Sequence, residues 1–579
     1  MASQHVSEIR YLPPTSTSNT HLPSEDEKKD DAYQHDVEVG VTDPDREGQP
    51  QLIYDNIPAG VNPTLVREER VVRGLSQRHI QMIALAGAIG TGLFLGSGRS
   101  IRRTGPAGTL IGYGLVGTLV MAVMGCLAEL SALAPISGAF VRQSEFFVDP
   151  ALAFAIGWST FYGSAVSVPG EWTAVAVIMT YWSDLNPGIW IAICIVVTFA
   201  TNLFFIRVYG EVELVCAILK IMLILGLILF GLIYDLGGIS GQDRIGFRYW
   251  RDPGAFGQGY WHVGTAAGQF CGFWLTLINA VYAFSGVESL AIAAAETKNP
   301  RRNVPRAAKH VFVRVLVFYM VTLFVVGLIV PSNDSHLLTS TGTAASSPFV
   351  IAAQRAGVKV LPSIINAVII TSAWSSGNHG MLVGSRALYA LALDKKAPKI
   401  FTRVSRFGIP WVAVLFQGSF QLLAFMSLSD GAATAFNWIT NINSSCTLCI
   451  WMVIGIVSLR VRKGMKAQGI EPKRLPWAAP FQPYLSHYTI WGSFVVLITG
   501  GFYSFLPGNW DISDFFSSYF SIIFLFVTYF GYKFIKKTKI VPASEIPVGQ
   551  FIAIADANPE EPPTERHGPM SWFAKFWWD

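Results

Sequence analysis

Apolar and polar positions sort the chain into one hydrophilic stretch followed by a long series of apolar runs. Residues 1–74 are polar, with Ser and Thr near the start and the acidic run Ser24-Glu-Asp-Glu-Lys-Lys-Asp-Asp31. A segment with so little apolar surface to bury stays disordered, and with no apolar core behind a basic start it is not expected to be a cleaved signal. From there, apolar segments of about 18 residues or more, the length that carries a helix across a bilayer, recur near 80–98, 107–134, 150–182, 188–205, 212–234, 264–295, 311–330, 360–393, 410–428, 432–459, 488–506 and 513–535. These twelve runs predict an all-α polytopic membrane protein, with a tail over 1–74, a membrane domain over 75–537 and a second tail over 538–579.

The first run, Arg78 to Gly98, is interrupted by Gly87, Gly90 and Gly92. Glycine in a helix interior costs roughly 1 kcal/mol relative to alanine, and lipid offers no water to the backbone groups that an unwound turn frees. Such a break is tolerable where protein buries it or where it lines a cavity. The N–H groups that open the second half-helix then form a seat for a carboxylate. Glycine also serves as a packing surface between membrane helices, so a second break decides between the two readings. It occurs in the sixth run, at Tyr282-Ala-Phe-Ser-Gly-Val-Glu-Ser289, where Ser285 and Gly286 precede the ionisable Glu288. If five helices form one unit (80–234) and the next five its inverted copy (264–459), the sixth run is the counterpart of the first, and a central substrate site lies between them. The runs at 488–506 and 513–535 are two further helices.

Composition narrows the class. At 51% hydrophobic and 14% charged over 579 residues, the chain is neither a soluble enzyme nor a disordered scaffold. Cys126, Cys194, Cys216, Cys271, Cys446 and Cys449 all fall in apolar runs and read as small buried residues, not a disulfide framework. The C-x-x-C spacing of Cys446 and Cys449 has no histidines nearby and makes a poor metal site, so no metal or cofactor is expected. The basic pI calls for no nucleic-acid partner, because the positive charge lies in loops. Arg67, Arg70, Arg73 and Arg78 before the first run, then clusters at 298–309, 395–406, 460–474 and 533–539, favour both termini on the cytoplasmic side. Arg99, Arg102 and Arg103, and Arg244, Arg248 and Arg251, break that bias. The sequon Asn333-Asp-Ser335 falls in a loop placed outside by this orientation, a candidate glycosylation site; Asn443-Ser-Ser445 lies within a helix and is out of reach.

Arg78-His-Ile-Gln-Met-Ile-Ala-Leu with Gly-Ala-Ile-Gly-Thr-Gly, the Phe-Ser-Gly-Val-Glu turn followed by Glu296-Thr-Lys-Asn-Pro-Arg-Arg302, and Ser385-Arg-Ala-Leu-Tyr-Ala-Leu391 resemble the fungal amino-acid permeases. These form the yeast amino acid transporter family of the amino acid, polyamine and organocation superfamily, and the likeness runs from about residue 75 to 540. The resemblance implies a LeuT-like five-plus-five inverted fold with broken helices 1 and 6, and proton-coupled uptake of L-amino acids at the plasma membrane of a fungus, driven by a proton gradient. Carried over, Ala88, Ile89, Gly90, Thr91 and Gly92 would hold the substrate α-carboxylate. Carbonyls around Ala283, Phe284 and Ser285, beside Gly286, would accept from the α-ammonium, and Phe284 resembles the aromatic that closes over the substrate.

Ionisable residues inside the membrane are expensive and are site candidates by default. Lys220 resembles the lysine whose amine replaces a sodium ion in proton-coupled members of the superfamily; the competing reading is a permanently charged structural lysine paired to carbonyls. Glu171, in Val168-Pro-Gly-Glu-Trp172, is either a pocket carboxylate that takes a proton or attracts a cation, or an interhelical hydrogen-bonding group. Glu288 is open between proton carrier and local brace, whereas Glu129 and Arg386 lie toward helix ends where pairing or snorkelling explains them. Thr440, Asn441, Asn443, Ser444 and Ser445 form a polar patch in the tenth run, either pocket lining, with Asn441 a substrate-binding candidate, or helix packing glue. Ser375, Ser376 and Asn378 pose the same choice.

On substrate, the loops at 244–256 and 391–401 look most like the dicarboxylic amino-acid permease branch, but Glu171 stands where that branch has an uncharged glutamine. The reading is neutral or broad specificity, with an acidic amino-acid permease as the alternative and a non-transporting amino-acid sensor as the alternative of another class. The aromatic end Trp572 to Asp579 suits a membrane interface, and the serine- and lysine-bearing tails suit either endocytic and ubiquitination machinery or solvated disorder alone.

Overall fold

The computed structural model describes residues 90–560 apart from 137, 205, 295–298, 339–346, 406–407 and 429–431, together with 58, 61–62 and 65. No strand occurs among the described residues. The helices are α1 (Ser97–Leu133), α2 (Ala139–Phe147), α3 (Pro150–Met179), α4 (Pro187–Phe204), α5 (Ile206–Asp235), α6 (Ala266–Phe284), α7 (Ser289–Ala294), α8 (Pro300–Val313), α9 (Thr322–Ile329), α10 (Ser335–Leu338), α11 (Pro348–Arg355), α12 (Leu361–Leu393), α13 (Trp411–Ser419), α14 (Ala432–Ala467), α15 (Tyr484–Thr499), α16 (Ile512–Lys536) and α17 (Val548–Ala557). A wide turn at Gly92–Gly96 leads into α1, and another, Arg314–Val321, joins α8 to α9.

Nine helices among the described residues are long and apolar enough to cross a membrane. The first of them, Gly92–Leu133, joins the described end of the 80–98 run to the 107–134 run. Gly105 and Pro106 divide it: Gly105 has φ +73°, and a Cβ there would sit 2.6 Å from the Ala255 carbonyl oxygen and from Gly257 N, so only glycine fits the corner. The α4 run is short, and α12 is long but carries Ser375, Ser376, Asn378 and His379 in its middle.

The surface states the solvent. Val215, Met222 and Leu229 on α5 are each more than half exposed and lie seven residues apart, one stripe of a helix. On α16, Phe526, Val527 and Phe534 project in the same way. Apolar stripes facing outward, while Lys220, Glu129, Glu171 and Glu213 are buried, reverse the arrangement of a soluble protein and suit lipid. At the core α3 packs along α12 and α14, and α1 along α6. Trp172 of α3 is fully buried, its Nε1–H donating to Gln421 Oε1 at 2.7 Å. Glu129 accepts from Arg462 Nε at 2.9 Å and from a second guanidinium nitrogen, and also from Ala479 N at 2.8 Å; pairing is its role.

Residues 541–560, read from sequence as the start of a tail, are instead packed on the face that carries Arg460 and Arg301. Val541 N donates to Val148 O at 2.9 Å, Arg460 donates to the Val541 carbonyl, and Gln468 Nε2 reaches Ile546 O at 2.7 Å. Phe551 of α17 is buried edge-on against Phe147 at 5.7 Å. Glu560 then caps α8, accepting from Arg301 N at 2.7 Å and Arg302 N at 3.1 Å. An anion at a helix N-terminus satisfies donors that have no partner within the helix. The remaining tail stretches, 1–57 and 561–579, lie outside the described residues.

Candidate functional site

The described part of the first run, from Gly90 on, meets the break in the sixth. α6 stops at Phe284, Ser285 to Glu288 form an unwound turn with Gly286 at φ +88°, and α7 restarts at Ser289. Facing it are Gly90, Thr91 and Gly92; Ala88 and Ile89 lie outside the described residues. A Cβ on Gly92 would fall 2.8 Å from Ala283 Cα, so the two backbones touch at a place where a hydrogen is all that fits. A Cβ on Gly90 would collide with Glu171 Oε1 and lie 2.8 Å from Ser376 Oγ. Gly92 therefore permits backbone to meet backbone, and Gly90 permits the Glu171 carboxylate to reach the backbone.

Around this contact lies a chamber of about 80 Å³, bounded by Gly90 and Gly92, by Ser167 and Glu171 of α3, by Tyr282, Ser285 and Glu288, by Ser376 and His379 of α12, and by Asn443 and Cys446 of α14. Glu171 occupies the seat expected for a ligand carboxylate: Oε2 accepts from Thr91 N at 3.3 Å, and Oε1 from Ser376 Oγ at 3.1 Å. Glu288 accepts from Trp451 Nε1 at 3.2 Å and from Gly286 N at 3.3 Å, so it braces the unwound turn while lining the chamber. Ser285 Oγ donates to the Tyr282 carbonyl at 2.8 Å and accepts from Asn443 Nδ2 at 3.2 Å. Among the described residues the buried Thr91 Oγ1 and Tyr282 hydroxyl complete no hydrogen bond of good geometry, an arrangement that suits a polar ligand.

Three expectations change on this geometry. Phe284 is fully buried away from the chamber, 4.2 Å from the Tyr319 ring and packed against Tyr113; Tyr282 lines the chamber instead, together with Phe140. The reason is helix geometry: both residues lie within α6, and positions two apart on a helix point about 200° apart. The Ala283 carbonyl already accepts from the Tyr319 hydroxyl at 2.7 Å, and Tyr319 accepts from the buried Arg314 at 3.2 Å. Asn441 turns away to Tyr503 and Ser517, at 3.0 and 3.4 Å, and Asn443, two positions on, faces the chamber instead. Lys220 does not line the chamber: it is fully buried one layer behind, its Nζ donating to Ser375 Oγ at 3.1 Å.

Ser375 in turn donates to Glu213 Oε2 at 2.7 Å. Adjacent serines on α12 thus put one hydroxyl on Glu171 in the chamber and the next between Lys220 and Glu213 behind it. Asn378 serves as glue, accepting from Asn202 and Thr201 of α4 at 2.5 and 3.0 Å. Ser444 and Ser445 tie α14 to the Ile278 and Ser518 carbonyls at 3.0 and 2.7 Å. Sequence reasoning missed Glu213, Arg314 and His379. His379 Nε2 lies 3.0 Å from Ser289 Oγ, and its position four residues after Ser375 on a run already read as polar was the available signal. No group of three or more His, Cys, Asp or Glu side chains converges as a metal site among the described residues.

A second cavity, of about 650 Å³, opens on the face that carries Asn333 and is lined by residues of α1, of the 253–269 segment and of α14. Tyr282, which lines the chamber, and Phe436, which lines this cavity, pack edge-on at 5.8 Å between the two.

Residues 79–543 match the family model described as amino acid permease. The chain is similar to the dicarboxylic amino acid permease of Saccharomyces cerevisiae, 38% identical over 85% of this chain and 82% of that one. It is 40% identical to the lysine-specific permease of the same yeast, over 82% and 77%, and 40% identical to the proline-specific permease of Emericella nidulans, over 87% and 92%. Among solved structures, the manganese transporter of Eremococcus coleocola shares the fold, with a TM-score of 0.50 at 12% identity over 83% of this chain and 94% of that one.

Proposed function

Because the chain belongs to the amino acid permease family, whose members are transporters and not enzymes, we propose that it is a proton-coupled L-amino-acid symporter of neutral or broad specificity, working by alternating access. Twelve spans in a five-plus-five inverted arrangement with two further helices, in the plasma membrane with both termini inside, complete the reading. The observation that carries it is the backbone contact of Gly92 with Ala283, beside a chamber whose carboxylate-binding seat is filled by the protein's own Glu171.

That substitution suggests how protons and substrate are linked. A substrate carboxylate and an ionised Glu171 compete for the Thr91 N–H. Protonation of Glu171 removes its charge and weakens its hold, so the substrate displaces it; after substrate leaves, the carboxylate returns and releases the proton. Like charges in one low-dielectric site exclude each other, which makes the exchange tight. The Ser376–Ser375 pair links this carboxylate to Lys220 and Glu213. The orientation follows from the basic loops and is checked by glycan attachment: Asn333 is exposed, and Asn333→Gln should remove a mobility shift.

The acidic alternative is favoured by the dicarboxylic relative, but Glu171 and Glu288 in one chamber set charge against an acidic side chain. Uptake of radiolabelled amino acids into liposomes holding the purified protein tests the whole reading. Accumulation should require an inward pH gradient; binding without accumulation would indicate a sensor, and accumulation indifferent to the gradient would overturn the coupling.

A further inference from the structure

Six arginines break the charge bias of the loops, and the structure places three of them together. Arg99, Arg102 and Arg103 line the cavity on the Asn333 face, and no aspartate or glutamate is among the described residues that line it. The other polar side chains that line it are all uncharged, Gln258, Gln269, Asn333 and Asn437 among them. The Arg99 guanidinium lies over the Phe436 ring, 5.9 Å from its centroid, and the Arg103 guanidinium over the Tyr260 ring at 5.5 Å. Neither makes an ion pair with a described carboxylate. Asp514, whose charge reaches Arg103, is outside the lining and accepts from Trp438 Nε1 at 3.1 Å.

A guanidinium over an aromatic ring is held by the ring without using its N–H donors, and those donors can bind a carboxylate in a two-bond fork. Positions 99 and 103 are four apart on one helix and therefore neighbours on the same face. We propose that this cavity is a second, peripheral carboxylate-binding subsite, in which Arg99 and Arg103 each take one carboxylate of a dicarboxylic ligand, acidic amino acids among them. A monocarboxylic ligand engages one arginine and binds more weakly. The deep placement on aromatic rings, in a cavity with no opposing charge, strengthens the attraction beyond that of exposed loop arginines. Phe436, the ring under Arg99, is also the ring that closes on Tyr282. Anion capture therefore bears on the barrier between cavity and chamber. As a step in uptake the subsite rests on the symporter reading; as a binding site it stands without it.

Radiolabelled glutarate is the probe, because it has two carboxylates and no ammonium group for the chamber. Binding is measured on the purified full-length protein, at low and at moderate salt, with gel filtration confirming that each variant is folded. Wild type should bind glutarate saturably and more weakly as salt rises, acetate should compete at least tenfold less well, and Arg99→Gln with Arg103→Gln should lose binding at least tenfold. The Arg99→Lys, Arg103→Lys pair keeps the charge and should retain part of the affinity, which excludes misfolding as the cause. Equal glutarate binding in wild type and the glutamine pair, or none in wild type, would overturn the proposal. Uptake assays run in parallel separate the two readings: glutarate binding without amino-acid accumulation leaves the subsite standing and removes the symporter.

Discussion

A single carboxylate, Glu171, decides more about this site than any other side chain. It is held by one N–H of the first break and one hydroxyl of α12, so its charge sets whether the seat is open. Glu171→Gln keeps the shape and removes the charge. Amino-acid uptake in this variant should lose its response to the pH gradient while exchange of substrate across the membrane persists; an unchanged pH response would remove Glu171 from the coupling. Lys220 acts from behind, through Ser375. Lys220→Ala leaves Glu213 buried without that charge and should abolish accumulation against a gradient, measured as the steady-state ratio of internal to external substrate. Gly92 makes a third case, in which chemistry gives way to space. Gly92→Ala forces a methyl against the Ala283 backbone, and overpacking of this kind costs about 1–3 kcal/mol. Thermal unfolding in detergent should report the loss, together with reduced substrate binding.

Among the elements, α17 is the least anticipated from the chain. Its buried Val548, Phe551, Ile552 and Ile554 form an apolar face of a kind familiar in docked helices, but ten residues are too few to distinguish a docked helix from a tail by pattern. Docking depends on partners far off in sequence: Phe147, Arg460 and Gln468, with Glu560 capping α8. Phe551→Ala should destabilise the protein by about 3–5 kcal/mol, the range for a buried phenylalanine, read as a lowered unfolding temperature. If that temperature is unchanged, the contact on Phe147 carries no stability. The breaks behave differently. Gly90 and Gly92, and Ser285 with Gly286, were visible as breaks because helix-poor residues interrupt runs that lipid would otherwise keep helical.

At the scale of the whole molecule, the chamber and the Asn333-face cavity are two compartments with Tyr282 and Phe436 packed between them. Alternating access requires that barrier to open. Phe436→Ala should join the compartments, so that Cys446, a free thiol on the chamber wall, becomes reactive to a bulky impermeant maleimide added from the Asn333 face. Peptide mass spectrometry reads the modified residue, and equal labelling of wild type and variant would show that these rings are not the barrier.

The sequence alone determined the solvent and the class. Runs of apolar residues this long have one stable environment, and within them a glycine or Ser-Gly interruption has one kind of surroundings, because unsatisfied peptide groups are intolerable in lipid. The tertiary structure decided which side chains face the space between the breaks. Tyr282 replaces Phe284 and Asn443 replaces Asn441, because a helix's exact rotation changes facing by steps that a run of apolar letters does not record. It also decided that Lys220 sits a layer behind Glu171 and that three out-of-place arginines share one cavity. Distance between side chains from separate helices is set by how the helices pack, and no local pattern along the chain encodes it.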